Sequence, residues 1–81
     1  MIRYRNTDRN GRAFSQETRR AVWNKTKTVY GYNSDKVRRD VCGAIIEWDK
    51  YGDTTPNGNG WEIDHIIPVS RGGGDQLSNL Q

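Results

Sequence analysis

Residues 61–81 read WEIDHIIPVSRGGGDQLSNLQ, and this stretch places the only histidine of the chain, His65, directly after an acid, Asp64. Its apolar positions predict a strand over residues 61–67 that ends at Pro68. The glycine run that follows predicts a tightly curled loop, after which residues 78–81 can begin a returning strand. The stretch therefore predicts two strands that approach each other around the acid and the histidine.

An acid next to an imidazole suits the hydrolysis of a phosphodiester bond. Carboxylate oxygen is a preferred ligand of Mg²⁺ or Mn²⁺, and a neutral imidazole can take a proton from an attacking water near pH 7. Adjacent residues of a regular strand point to opposite faces, which favours separate roles, with Asp64 as metal ligand and His65 as base. Asn79 on the returning strand is placed to help orient the imidazole. Taken alone, however, an Asp-His pair is more often structural than catalytic.

The whole string is more specific than the pair. The run DHIIPVSRGG at 64–73, followed by SNLQ at 78–81, resembles the HNH endonuclease motif, whose pattern is D-H-I-x-P-x-S-x-G-G, a short spacer and N-L-Q. Every one of those positions matches. The upstream segments VCGA at 41–44 and YGD at 51–53 also look like a bacterial and phage branch of these nucleases.

This resemblance implies an α+β fold of the ββα-metal type, in which two antiparallel strands and a following helix surround one divalent ion, Mg²⁺ or Mn²⁺. It implies that Asp64 binds the metal, that His65 is the general base, and that Asn79 steadies the loop and the histidine. It also implies a metal-dependent endonuclease of DNA, since many such proteins cut or nick DNA. Many relatives carry two Cys-x-x-Cys pairs that bind zinc; this chain has only Cys42, so we expect no structural zinc.

The chain departs from the family pattern at its end. The last motif residue of the family, a His or Asn, lies on a helix after the second strand, and the chain ends at Gln81. We therefore expect that helix to be missing, the metal site to be incomplete and apolar residues to be exposed. These are Ile63, Ile66, Val69, Leu77 and Leu80.

Three functions remain open at this point. The first is an HNH endonuclease or nickase, impaired by the missing helix. The second is a non-catalytic fragment that retains the DNA-binding surface of such a nuclease. The third is a fragment that associates with another copy through its exposed strand edge.

The charges are divided unevenly along the chain. Residues 1–39 carry eleven Lys or Arg against three acids, whereas residues 40–81 carry two against seven. This layout suits a polyanion-binding arm beside a cation-binding site, although two solvated faces that neutralise each other explain it equally well. We expect duplex DNA as the partner, held at its backbone by counterion release. The candidate phosphate-binding residues are Arg71, beside the glycine run, and Arg19, Arg20, Lys25, Lys27, Arg38 and Arg39.

The length predicts a single domain over residues 1–81, with a basic helical part at 1–40 and a strand and loop part at 41–81 that carries the motif. Residues 1–13 are expected to be extended or loose. Ser15 is a good N-cap for a helix over 16–25, from which Arg19 and Arg20 would project outward. The rest should comprise a charged connector at 35–40, a short strand or helix at 41–48, with β-branched residues favouring the strand, and a loop at 51–60.

Composition sets the remaining expectations. Trp23, Trp48 and Trp61 are expected in the core, because so small a domain needs large apolar groups; stacking on bases is their alternative role. The lone Cys42 is expected to be a small buried residue. No apolar run approaches the length of a membrane span, the N-terminus lacks the apolar segment of a signal peptide, and mean hydropathy is −1.03. We therefore expect a soluble cytoplasmic protein with no membrane partner.

Overall fold

The computed structural model describes residues 6–56 and 58–81. Its α-helix, α1, spans Gln16–Trp23 and begins where the sequence predicts. The Ser15 backbone is extended, and its hydroxyl accepts the Thr18 amide at 3.1 Å, which satisfies a donor that the helix leaves unpaired. The helix ends two residues earlier than predicted, because the Lys25 amide bonds to the Val22 carbonyl in a tighter turn.

Three short strands form an antiparallel sheet in the order β1, β2, β3. They span Lys27–Thr28, Val37–Arg39 and Ile45–Glu47. The sheet and α1 confirm the α+β class. β3 confirms the strand interpretation of residues 41–48, whereas the charged connector predicted over 35–40 is wrong, because its central residues form β2 and pair on both sides.

The two strands predicted around the Asp-His pair are reduced to one short pairing. His65 and Leu80 form an isolated antiparallel bridge. The amides and carbonyls of Asp64 and Gln81 bond reciprocally at 2.9 and 3.0 Å beside it. Single 3-10 turns at Val69–Arg71 and Leu77–Asn79 take the place of longer strands. The chain therefore returns beside the pair as predicted, but along a curled path.

The core is built around Trp23, whose residue surface is fully buried. Its ring centroid lies 5.6 Å from that of Trp48 and 5.2 Å from that of Trp61, so the expectation of tryptophans in the core is confirmed. Ile63 and Leu80 belong to the same cluster, which corrects their expected exposure. Of the other residues expected to be exposed, Ile66 and Leu77 are exposed and Val69 is half-buried.

Two further predictions concern Cys42 and the N-terminal segment. Cys42 is exposed rather than buried, because the Asp40 carboxylate accepts the amides of Cys42 and Ala44 and so curls this segment into a surface turn. Thr7 and Ala13 form a bridge across a turn, whereas residues 1–5 of the segment expected to be extended or loose lie outside the described residues. Over the described ranges, no helix has both the length and the apolar character needed to span a bilayer.

Candidate active site

The His65 imidazole is held by a carboxylate that the sequence reasoning missed. Nε2 of His65 lies 2.8 Å from Oδ1 of Asp75, and the two side chains are 1% and 31% exposed. The backbone amide of Arg9 donates to both oxygens of that carboxylate, at 3.0 and 3.2 Å. The Phe14 ring lies 6.0 Å from the imidazole, centroid to centroid. One sequence signal pointed to Asp75, which is the only acid between His65 and Asn79.

Asp64 occupies a different environment from its neighbour. It is exposed, and its Oδ1 accepts the amide of His65 at 2.9 Å. Asp64 borders an open cleft of about 840 Å³, together with Lys25, Lys27 and Trp61. Asp64 is thus exposed at the cleft while the adjacent His65 imidazole is buried, as expected of neighbouring residues in an extended segment.

Asn79 is buried and fastens the glycine-rich loop. Its Oδ1 accepts the Ile67 amide at 2.8 Å, and its Nδ2 donates to the carbonyls of Gly74 at 2.8 Å and Ile67 at 3.2 Å. The side chain therefore ties together the two ends of the loop that precedes Asp75. In this geometry Asn79 reaches His65 through the loop and Asp75.

The loop also requires glycine at one buried position. A Cβ on Gly73 would overlap the carbonyl oxygen of Ile67 and lie 3.0 Å from Nδ2 of Asn79. A Cβ on Gly74 would meet only the flexible end of the Gln76 side chain. The close turn around Asn79 thus depends on Gly73 for steric reasons.

Several of the predicted phosphate-binding residues make contacts within the protein. Nζ of Lys25 donates to the carbonyls of Leu77 at 2.7 Å and Leu80 at 2.5 Å. This contact ties the end of α1 to the turn that carries Asn79. Arg39 donates to the Gly43 carbonyl at 2.8 Å.

The Arg38 guanidinium makes more hydrogen bonds within the protein than the side chains of Lys25 and Arg39 do. The guanidinium donates to the carbonyls of Ser34 at 2.8 Å, Thr26 at 3.0 Å and Asn24 at 3.3 Å. These carbonyls belong to the segment after α1 and to the loop before β2. Arg38 therefore joins the two segments that enter the sheet.

Arg19 and Arg20 fold onto aromatic rings instead of projecting outward. The Arg20 guanidinium lies 3.6 Å from the centroid of a Trp48 ring, and the Arg19 guanidinium lies 4.3 Å from that of Tyr51. Arg19 also donates to the Phe14 carbonyl at 3.1 Å. Such cation–π contacts stabilise the fold.

Lys27, on β1, and Arg71, at the end of a 3-10 turn, are exposed, as Lys25 and Arg39 also are. Lys27 borders the cleft that Asp64 faces. The cleft also contains Asp53, whose pKa is lowered below its ordinary value by hydrogen bonds from the side chain and amide of Thr55. The cleft therefore carries charges of both signs, and its carboxylates suit a cation.

Across residues 6–56 and 58–81, no three His, Cys, Asp or Glu side chains converge as a metal-binding group. An exposed Asp64 in an open cleft nevertheless fits a mode common for Mg²⁺, in which one carboxylate is completed by water and substrate phosphates. Asp64 is therefore a candidate ligand for such an ion.

The family model of the HNH endonuclease matches residues 41–81, just over half of the chain. The chain belongs to the HNH endonuclease family, a nuclease family whose domains act on DNA and generally use a divalent metal. Neither a curated protein nor a solved structure matches the chain.

Proposed function

We propose that this chain is a metal-dependent endonuclease that hydrolyses phosphodiester bonds of duplex DNA and nicks one strand per encounter. The observation that carries the proposal is the buried His65 imidazole, held by Asp75 and adjacent in sequence to an exposed Asp64 that borders an open cleft. A base and a cation ligand on adjacent residues are what hydrolysis of a phosphodiester requires.

His65 is the general base in this proposal. In this role the imidazole accepts the proton of the attacking water, and the Asp75 carboxylate beside Nε2 stabilises the imidazolium that forms. The side chain is 1% exposed, so this role requires a local opening that admits the water when DNA binds; catalytic contacts often tighten only in the substrate complex.

Asp64 is the metal ligand, and Mg²⁺ or Mn²⁺ suits its oxygen donors. When bound, the ion supplies positive charge to the phosphate and to the leaving oxygen. Asn79 and Lys25 are positioning residues, since they hold the loop and the turn around the pair. Lys27 and Arg71 contribute exposed positive charge for the DNA backbone.

Nicking follows from the composition of the site. The described site contains one imidazole base, that of His65. One base serves one strand in each binding event, and a double-strand cut needs a second event or a second molecule.

The test is the conversion of supercoiled plasmid to the nicked circle by the full chain with Mn²⁺ or Mg²⁺. We expect nicking that EDTA abolishes and that His65→Ala lowers by at least about 100-fold, the usual contribution of a positioned base. DNA binding by His65→Ala should stay within a few-fold of the wild type. Asp64→Ala should weaken metal binding in calorimetric titration. Metal-independent nicking, or full activity of His65→Ala, would overturn the proposal.

One observation favours a second function, a DNA-binding module without hydrolysis. It is the lack of three converging metal ligands within the described ranges. A gel-shift titration across salt concentrations distinguishes the two. Steeply salt-dependent binding of DNA that stays intact with either metal supports the module. Binding accompanied by metal-dependent nicking supports the endonuclease.

A further inference from the structure

Two aromatic side chains project from the loop between β1 and β2. Tyr30 is fully exposed and Tyr32 is 63% exposed, although tyrosine rings usually bury much of their surface. They are separated by Gly31, whose φ of 86° and empty surroundings let the chain turn between the two rings. We call residues 27–39 the tyrosine hairpin.

The loop of the tyrosine hairpin is fixed at its base. Its Ser34 carbonyl accepts Nε1 of the buried Trp23 at 2.9 Å and Nε of Arg38 at 2.8 Å. Arg20 donates to the Asp35 carbonyl at 3.2 Å. The base of the loop that carries the two tyrosines is therefore fixed by hydrogen bonds, which lowers the cost of ordering the loop when a ligand binds.

The charges of the tyrosine hairpin favour an anionic partner. Residues 27–39 contain four basic residues and one acidic residue. At its start, Lys27 borders the same cleft as Asp64. A polyanion that occupies the cleft can therefore continue along a basic hairpin towards the tyrosine tip.

We propose that the tip of the tyrosine hairpin binds unpaired bases of the DNA that occupies the cleft, through stacking on Tyr30 and Tyr32. Exposed aromatic rings beside basic residues are the combination by which proteins bind single strands without sequence preference. Paired bases inside a duplex offer no free face to such a ring. This inference rests on the proposed function and adds to it a preference for duplexes that contain a single-stranded stretch.

The test compares two labelled DNAs by fluorescence anisotropy, in EDTA so that neither is cut. One is a blunt duplex, and the other is the same duplex with a single-stranded overhang. We expect the wild type to bind the overhang duplex more tightly. The double variant Tyr30→Ala/Tyr32→Ala should lose about tenfold in affinity for the overhang duplex and little for the blunt one. Tyr30→Phe/Tyr32→Phe, which keeps both rings, is the matched control and should bind like the wild type.

The outcomes separate this inference from the proposed function. Unchanged affinity of the alanine variant for the overhang duplex, with wild-type binding and nicking intact, overturns the inference alone. A wild type that binds neither DNA overturns both. If the alanine variant instead converts a sedimenting dimer to a monomer without a change in affinity, the tyrosines form a protein contact and the inference is wrong. Thermal melting checks that each variant folds.

Discussion

The Asp75 carboxylate lies 2.8 Å from Nε2 of His65, although the two residues are ten positions apart in sequence. The segment between them contains one proline and three glycines. The Arg9 amide clamps that carboxylate from a segment 66 residues away. The imidazole is therefore oriented jointly by the curled loop that follows it and by the N-terminal turn. This relationship places the turn at residues 8–12 in direct contact with the candidate active site.

Replacement of Asp75 tests the orientation of the base. In Asp75→Asn the amide can present N–H to Nε2, which favours the wrong tautomer of His65. We expect nicking to fall about 100-fold in single-turnover assays, with DNA affinity little changed. Asp49→Asn is the control, because Asp49 is exposed on the turn Trp48–Lys50 and should retain activity. Equal rates for both variants would remove Asp75 from the mechanism.

The glycine run offers a matched pair of variants. Gly73→Ala places a Cβ on the Ile67 carbonyl and should cost about 2–3 kcal/mol of stability, because the backbone must shift. Gly74→Ala meets only the movable end of Gln76 and should be nearly neutral. Urea unfolding of both variants gives the comparison. Similar losses of stability in the two variants would contradict the predicted steric difference between positions 73 and 74.

Two basic residues should behave in opposite ways. Arg20 lies on a Trp48 ring, so Arg20→Ala should destabilise the fold by about 1–2 kcal/mol and change DNA binding little. Exposed Lys27 borders the cleft, so Lys27→Ala should leave stability unchanged and reduce the slope of log affinity against log salt by about one. Denaturation and salt-dependent anisotropy measure the two effects. The reverse pattern would mean that the arginine, not the lysine, contacts DNA.

Tyr51 gives the stability a pH dependence. Burial raises its pKa above the ordinary 10.0, and its hydroxyl donates to Oδ1 of Asn6 at 2.6 Å. The fold favours the neutral phenol, so this stabilisation is present below pH 10 and is lost as pH rises through the folded-state value. The stability difference between wild type and Tyr51→Phe should therefore shrink above pH 10 in urea titrations. A stability difference that stays constant or grows above pH 10 would contradict the raised pKa of Tyr51.

Local patterns predicted the elements that depend on neighbouring residues. The N-cap Ser15 and the helix after it were predictable, because capping involves residues three apart. β2 was not, since its sequence Val-Arg-Arg lacks alternation and forms a strand only between two partners. The charge of Arg38 in that strand is met by distant carbonyls, which no local rule reveals.

In the candidate site, the motif residues were predictable from the sequence, but their tertiary contacts were not. Asp64 and His65 follow from the motif, and the motif also singled out Asn79. The Asp75 contact depends on how tightly the glycine-rich loop curls and on the Arg9 amide, and both are tertiary effects. The aromatic contacts of the basic side chains were also missed, because charge counts do not show which side chain lies over which ring.

The central claim is that the His65 imidazole transfers the proton, and chemical rescue measures this most directly. In His65→Gly the substitution removes a nearly buried ring and leaves space for free imidazole. We predict that added imidazole restores metal-dependent plasmid nicking in a concentration-dependent manner, while the thermal stability of the variant changes little. An inactive variant that folds, binds DNA and is not rescued at any imidazole concentration would contradict the assignment of His65 as the base.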